Sequence, residues 1–122
     1  MAKPQALEIL LIEKDEITLD LYQRELSKSF TVLAFTDLDR VLETLATQDI
    51  RAVIIEPETC TGQGWDLIDA IHREFPDRSI PIIVCSTRDE SSRNRGKQVS
   101  SYLTKPVLPK TLHQKTLEIV KS

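Results

Sequence analysis

Five short apolar runs divide the chain, at positions 6–12, 30–35, 51–56, 80–86 and 100–104. Each is long enough for a strand and too short for a helix. Runs such as "ALEILLI", "RAVIIE" and "IPIIVCS" are nearly continuous in apolar residues, as strands covered on both faces must be. Between them the spacing turns helical. Ile17, Leu21, Tyr22 and Leu26 set it in 16–29, and Leu38, Val41, Leu42 and Leu45 in 36–48. Leu67, Ile68, Ile71 and Phe75 set it in 64–75, and Leu112, Thr116, Ile119 and Val120 in 108–121. Capping residues open the 36–48 segment, and Pro109 stands near the start of the last helix. The stretch "RDESSRNRGKQV" (88–99) holds one large apolar residue, Val99, so a short exposed helix is the most it predicts.

The order is βαβαβαβαβα. Alternating buried strands and helices imply an α/β fold with a doubly wound, five-stranded parallel sheet, joined by right-handed crossovers. The expected strand order is the flavodoxin-like 2-1-3-4-5, whose ligand crevice lies beyond the carboxyl ends of strands one and three. Strand one ends at Glu13 and strand three at Glu56, so topology brings together two carboxylates 43 positions apart.

Composition narrows the function. With 122 residues, one domain spanning 1–122 is expected. A net charge of −3 gives no general attraction for nucleic acid or anionic membranes, and the longest apolar stretches fall far short of a membrane span. The start "MAKPQALEIL" lacks the apolar core of a secretory signal. Cys60 and Cys85 form no CxxC pair, which suits a reduced, cytoplasmic setting with Cys85 an ordinary core residue. His72 and His113 belong to no Cys/His cluster, so no metal role is expected for them.

Four motifs carry a family resemblance: "LLIEKDE", "VIIE" with Gly64 eight residues on, "PIIVCST" and "SYLTKP". Ser86 lies 30 positions after Glu56, and Lys105 lies 19 after Ser86. Over essentially its whole length the chain resembles a response-regulator receiver domain. The resemblance implies two acids after strand one that hold magnesium and a phosphoacceptor aspartate after strand three. It also implies a Ser or Thr after strand four, coupled to an aromatic residue on strand five, and a Lys-Pro pair with a cis bond. On this pattern Glu13 takes the first acidic position, Ser86 and Tyr102 the switch positions, and Lys105-Pro106 the final pair.

Two positions depart from the pattern. Lys14 stands where the second metal-binding acid belongs. Magnesium requires oxygen ligands, and an ammonium offers only donors. Glu56 stands at the phosphoacceptor position with a carboxylate one methylene further out, in chemistry that depends on positioning. Pro57 follows it, and Cys60, read as an inert loop residue, replaces a family proline. Magnesium binding is therefore expected to be lost, and no cofactor or catalytic residue is expected. Lys14 and Lys105 are expected to neutralise Glu13 and Glu56 in an internal salt-bridged cluster, because carboxylates buried together need a counter-charge. Asp15 is the alternative acid if the register shifts by one. Trp65 is expected to pack near the start of the third helix.

The reading that follows is a degenerate receiver of a two-component or related system, not an enzyme, acting through protein–protein contact. Its expected partner is a histidine kinase or an output domain. A homodimer through the 88–99 segment, strand five and the last helix is a further expectation. Membrane and nucleic acid are not expected partners, since the basic 88–97 run has no interleaved aromatics. Two other readings remain: a phosphoacceptor with atypical acids, and a flavodoxin-like small-molecule domain. No glycine-rich phosphate loop follows strand one to support the latter.

Overall fold

A computed structural model describes residues 6–58, 63–87 and 99–121. In chain order its elements are β1 (Leu7–Ile12), α1 (Glu16–Leu26), β2 (Phe30–Phe35), α2 (Val41–Thr47), β3 (Ile50–Ile55), α3 (Gly64–Glu74), β4 (Ile82–Ser86), β5 (Ser101–Thr104) and α4 (Pro109–Lys121). The five strands form one parallel sheet in the order β2-β1-β3-β4-β5. The expected helix at 88–99 falls almost wholly outside the described residues.

Alternation along each strand explains the two layers. Ile9 and Leu11 of β1 share a face with Ala52, Ile54, Ile83 and Cys85, which α1 and α4 cover with Tyr22, Leu26 and Leu112. Leu10, Ile12, Val53, Ile55, Ile82 and Val84 face the other way, onto Val41 and Leu45 of α2 and Trp65, Ile68 and Ile71 of α3. Burying both faces is why the runs lack polar alternation.

Two boundaries differ from the sequence reading by three residues or more. Helix α2 begins at Val41, five residues later than expected. The Asp37 side chain accepts the Asp39 N–H at 3.1 Å, holding 36–40 as a turn that still lets Leu38 reach the core. Such local bonds compete with helix formation. Helix α1 stops at Leu26, where Ser27 takes the C-cap and turn bonds replace the helical ladder.

Candidate functional site

The carboxyl ends of β1, β3 and β5 converge on a crevice of three charged side chains. Backbone bonds set two of them. The Glu13 N–H donates to Phe35 O and the Glu56 N–H to Ile12 O, each at 3.0 Å, so both residues extend the ladder one step past their strands. The Lys105 N–H donates to Ser86 O at 2.7 Å, tying the start of the β5–α4 loop to β4. A cis bond joins Lys105 to Pro106, as the resemblance implied.

The Lys105 ammonium bonds Glu13 Oε1 and lies 3.7 Å from Glu56 Oε2. Glu13 and Glu56 are only 3% and 4% exposed. The second oxygen of Glu13 accepts the Asp15 N–H at 3.2 Å, and Glu56 Oε1 accepts the Glu58 N–H at 2.6 Å. Among the described residues, the buried Glu56 Oε2 has no hydrogen-bond partner. Burial pushes the Glu56 carboxyl above its ordinary range, and the neighbouring Glu13 and Glu58 add to that. The Glu58 N–H and Lys105 pull the other way without prevailing. Two carboxylates thus share one ammonium among the described residues.

Lys14 corrects the sequence reading. It is exposed, and no ion pair to it occurs among the described residues. Lys14 stands past the end of β1, in the bend that leads into α1, where its side chain is outside both covered faces of the sheet. Among the described residues, Lys105 and not Lys14 supplies the expected counter-charge. Asp15 is exposed and serves as the N-cap of α1, accepting the Thr18 N–H at 3.1 Å and the Thr18 hydroxyl. These bonds hold its carboxyl below its ordinary value.

Ser86 ends β4 fully buried. Tyr102 is half-buried on β5 and stacks on Trp65, with ring centroids 6.4 Å apart and planes 16° from parallel. Trp65 is buried at the start of α3, as expected. Gly64 lets that helix start close to the acceptor turn: a Cβ there would lie 2.6 Å from Pro57 Cα and 2.8 Å from Pro57 O. Cys85 is a buried core thiol pushed up to about 12, chiefly by burial. Cys60 lies outside the described residues.

Sequence reasoning missed the Glu58 N–H, because a backbone donor leaves no mark in residue type, and the Trp65–Tyr102 stack, which joins residues distant in the chain. Among the described residues, no group of three or more His, Cys, Asp or Glu could hold a metal ion. No described helix is long and apolar enough to cross a membrane.

The family model described as "Response regulator receiver domain" matches residues 9–117. The chain belongs to the receiver-domain family. A CheY-like receiver domain protein from Methanospirillum hungatei superimposes with a TM-score of 0.85 at 18% identity, covering 96% of this chain and 95% of that one. The signal receiver domain of an HD domain-containing protein from Pseudomonas fluorescens gives 0.84 at 23% identity, covering 96% of both chains. The chemotaxis regulator CheY4 of Vibrio cholerae gives 0.82 at 18% identity, covering 95% and 99%. No curated protein sequence matches the chain. These receivers share the fold and the strand order found here.

Proposed function

We propose that this receiver signals through protein–protein contact and does not accept phosphate by the magnesium route. One observation carries the reading: the Lys105 ammonium bonds Glu13 and lies beside Glu56, with Lys14 turned to solvent. The donor set does not suit magnesium. One oxygen of Glu13 is held by Lys105 and the other by the Asp15 N–H, and the second acidic position carries a cation. Asp15, the alternative ligand, is committed to capping α1. A longer carboxylate at position 56, buried and drawn toward its neutral form, is a poor nucleophile for in-line transfer. The proposed partner is a histidine kinase or an output domain of a two-component system, and the proposed setting is the cytoplasm.

The test is incubation with acetyl phosphate and magnesium, followed by intact-mass measurement. The expected result is an unchanged mass. A gain of one phosphoryl group, mapped to Glu56 or Asp15, would overturn the reading in favour of an atypical phosphoacceptor.

A further inference from the structure

At the amino end of the sheet, away from the crevice, a serine, a histidine and a glutamate stand in line. Phe30 opens β2 and pairs with Leu7 at the start of β1, so Ser29, the residue before it, lies at the end opposite Glu13 and Glu56. Glu25 is in the last turn of α1, and His113 is in the second turn of α4. Ser29 Oγ lies 2.6 Å from His113 Nε2, and His113 Nδ1 lies 2.9 Å from Glu25 Oε2. Hydrogen bonds from Lys28 and His113 hold the Glu25 carboxyl below its ordinary value, so it is ionised. An ionised carboxylate only accepts, so Nδ1 carries the proton shared with Glu25. In the neutral ring Nε2 is then the acceptor, and the Ser29 hydroxyl donates to it. A hydroxyl bonded to an imidazole whose far nitrogen is held by a carboxylate is the arrangement that activates a serine as a nucleophile.

Its surroundings define what that serine can do. Ser29 is half-buried, and the side chains of His113 and Glu25 are each 15% exposed, so a small reagent can reach the hydroxyl. Phe30 lies edge-on to the imidazole, with ring centroids 6.2 Å apart, and this apolar wall suits an uncharged donor. The backbone N–H groups of the turn are already spent. Lys28 N–H donates to Glu25 O at 3.2 Å and Ser29 N–H to Leu26 O at 3.0 Å, so neither is available to an oxyanion. Ser29 is therefore suited to being modified once rather than to turnover. We propose that Ser29 is a modification site, the acceptor for the acyl group of a small uncharged activated ester. In the step, Oγ bonds to the carbonyl carbon and its proton passes to His113 Nε2. The ester C–O bond breaks, the leaving oxygen takes the electron pair, and the imidazolium gives that oxygen the proton. The acylated serine has no hydroxyl proton, so the neutral His113 ring loses its Ser29 donor at the contact between α1 and α4. The step needs no magnesium and does not depend on how the crevice treats phosphate.

Incubation of the whole chain with p-nitrophenyl acetate, followed by peptide mapping over a time course, tests it. The expected result is an acetyl group on Ser29 and none on Ser27, an exposed serine in the same turn that serves as the internal control. Mapping reads acetylated lysines separately. H113Q should slow acetylation of Ser29 about hundredfold, the low end of what a general base contributes. E25Q keeps the imidazole and removes its anionic support, so it should slow the reaction as well, and it carries the test if circular dichroism shows that H113Q has lost the fold. No adduct on Ser29 would overturn the proposal and leave the cluster as a fastening between two helices. So would equal labelling of Ser27 and Ser29, or a rate on Ser29 unchanged in folded H113Q or in E25Q.

Discussion

Among the described residues, two carboxylate–cation clusters are built on opposite terms. In the crevice, two buried carboxylates share Lys105, and one oxygen of Glu56 has no hydrogen-bond partner. At the α1–α4 contact, one carboxylate has two partners. Glu25 Oε1 takes Lys28 Nζ at 2.8 Å and Oε2 takes His113 Nδ1 at 2.9 Å, while His113 Nε2 meets Ser29 Oγ at 2.6 Å. The effects on acidity run in opposite directions. Burial raises Glu56, and hydrogen bonds from Lys28 and His113 lower Glu25. A matched, half-buried cluster fastens two helices. An undersupplied cluster at the carboxyl ends of parallel strands is where this fold places its chemistry, and it keeps a strained electrostatic balance there.

The sharpest way to break that contrast is to remove the shared cation. K105M leaves two buried carboxylates without a counter-ion and should cost about 3–5 kcal/mol in denaturant unfolding. H113A, at the matched cluster, should cost less, because Glu25 keeps the Lys28 ammonium when the imidazole is gone. Equal losses would mean that the two crevice carboxylates do not depend on Lys105 as their counter-charge. Next in size is G64A. Its Cβ would press on Pro57 backbone, which cannot swing aside, so about 1–3 kcal/mol should be lost. E56Q should do the reverse. Replacing a carboxyl whose charge burial opposes with a neutral amide of the same shape should stabilise the protein by on the order of 1 kcal/mol.

The smallest effects are in pH dependence, and the signs differ. Glu56 is raised in the folded state, so the folded protein holds an extra proton as pH climbs above the ordinary value of 4.5. Its contribution therefore falls as pH rises through the folded value, and E56Q should flatten that side of the stability profile. Glu25 is lowered, so its contribution is present above 4.5 and lost as pH falls through its lower folded value. E25Q should flatten only the acid side. Thermal unfolding across the pH series reads both, and a single shared slope would remove the distinction.

Much of the fold was legible because burial on both faces leaves unbroken apolar runs. β2 and α1 were read from residue type and spacing to within a few residues. The late start of α2 was not, because the bond from Asp37 to Asp39 outweighs a helical stripe that looks continuous in sequence. The crevice was legible in part. Glu13, Glu56 and Lys105 could be placed together because each follows a strand end and the strand order joins those ends. The direction of Lys14 was misread, since it stands in the bend after β1, where residue type does not record which way a side chain turns.

Residue order by itself determined the parallel sheet, its strand order and the two acids at its crevice, because period and run length are local properties. Tertiary structure decided which ammonium reached those acids, which oxygen stayed unpartnered and which leucines stayed in water. Those outcomes depend on the direction of a side chain at the end of a strand and on neighbours tens of residues away, and no local pattern records either.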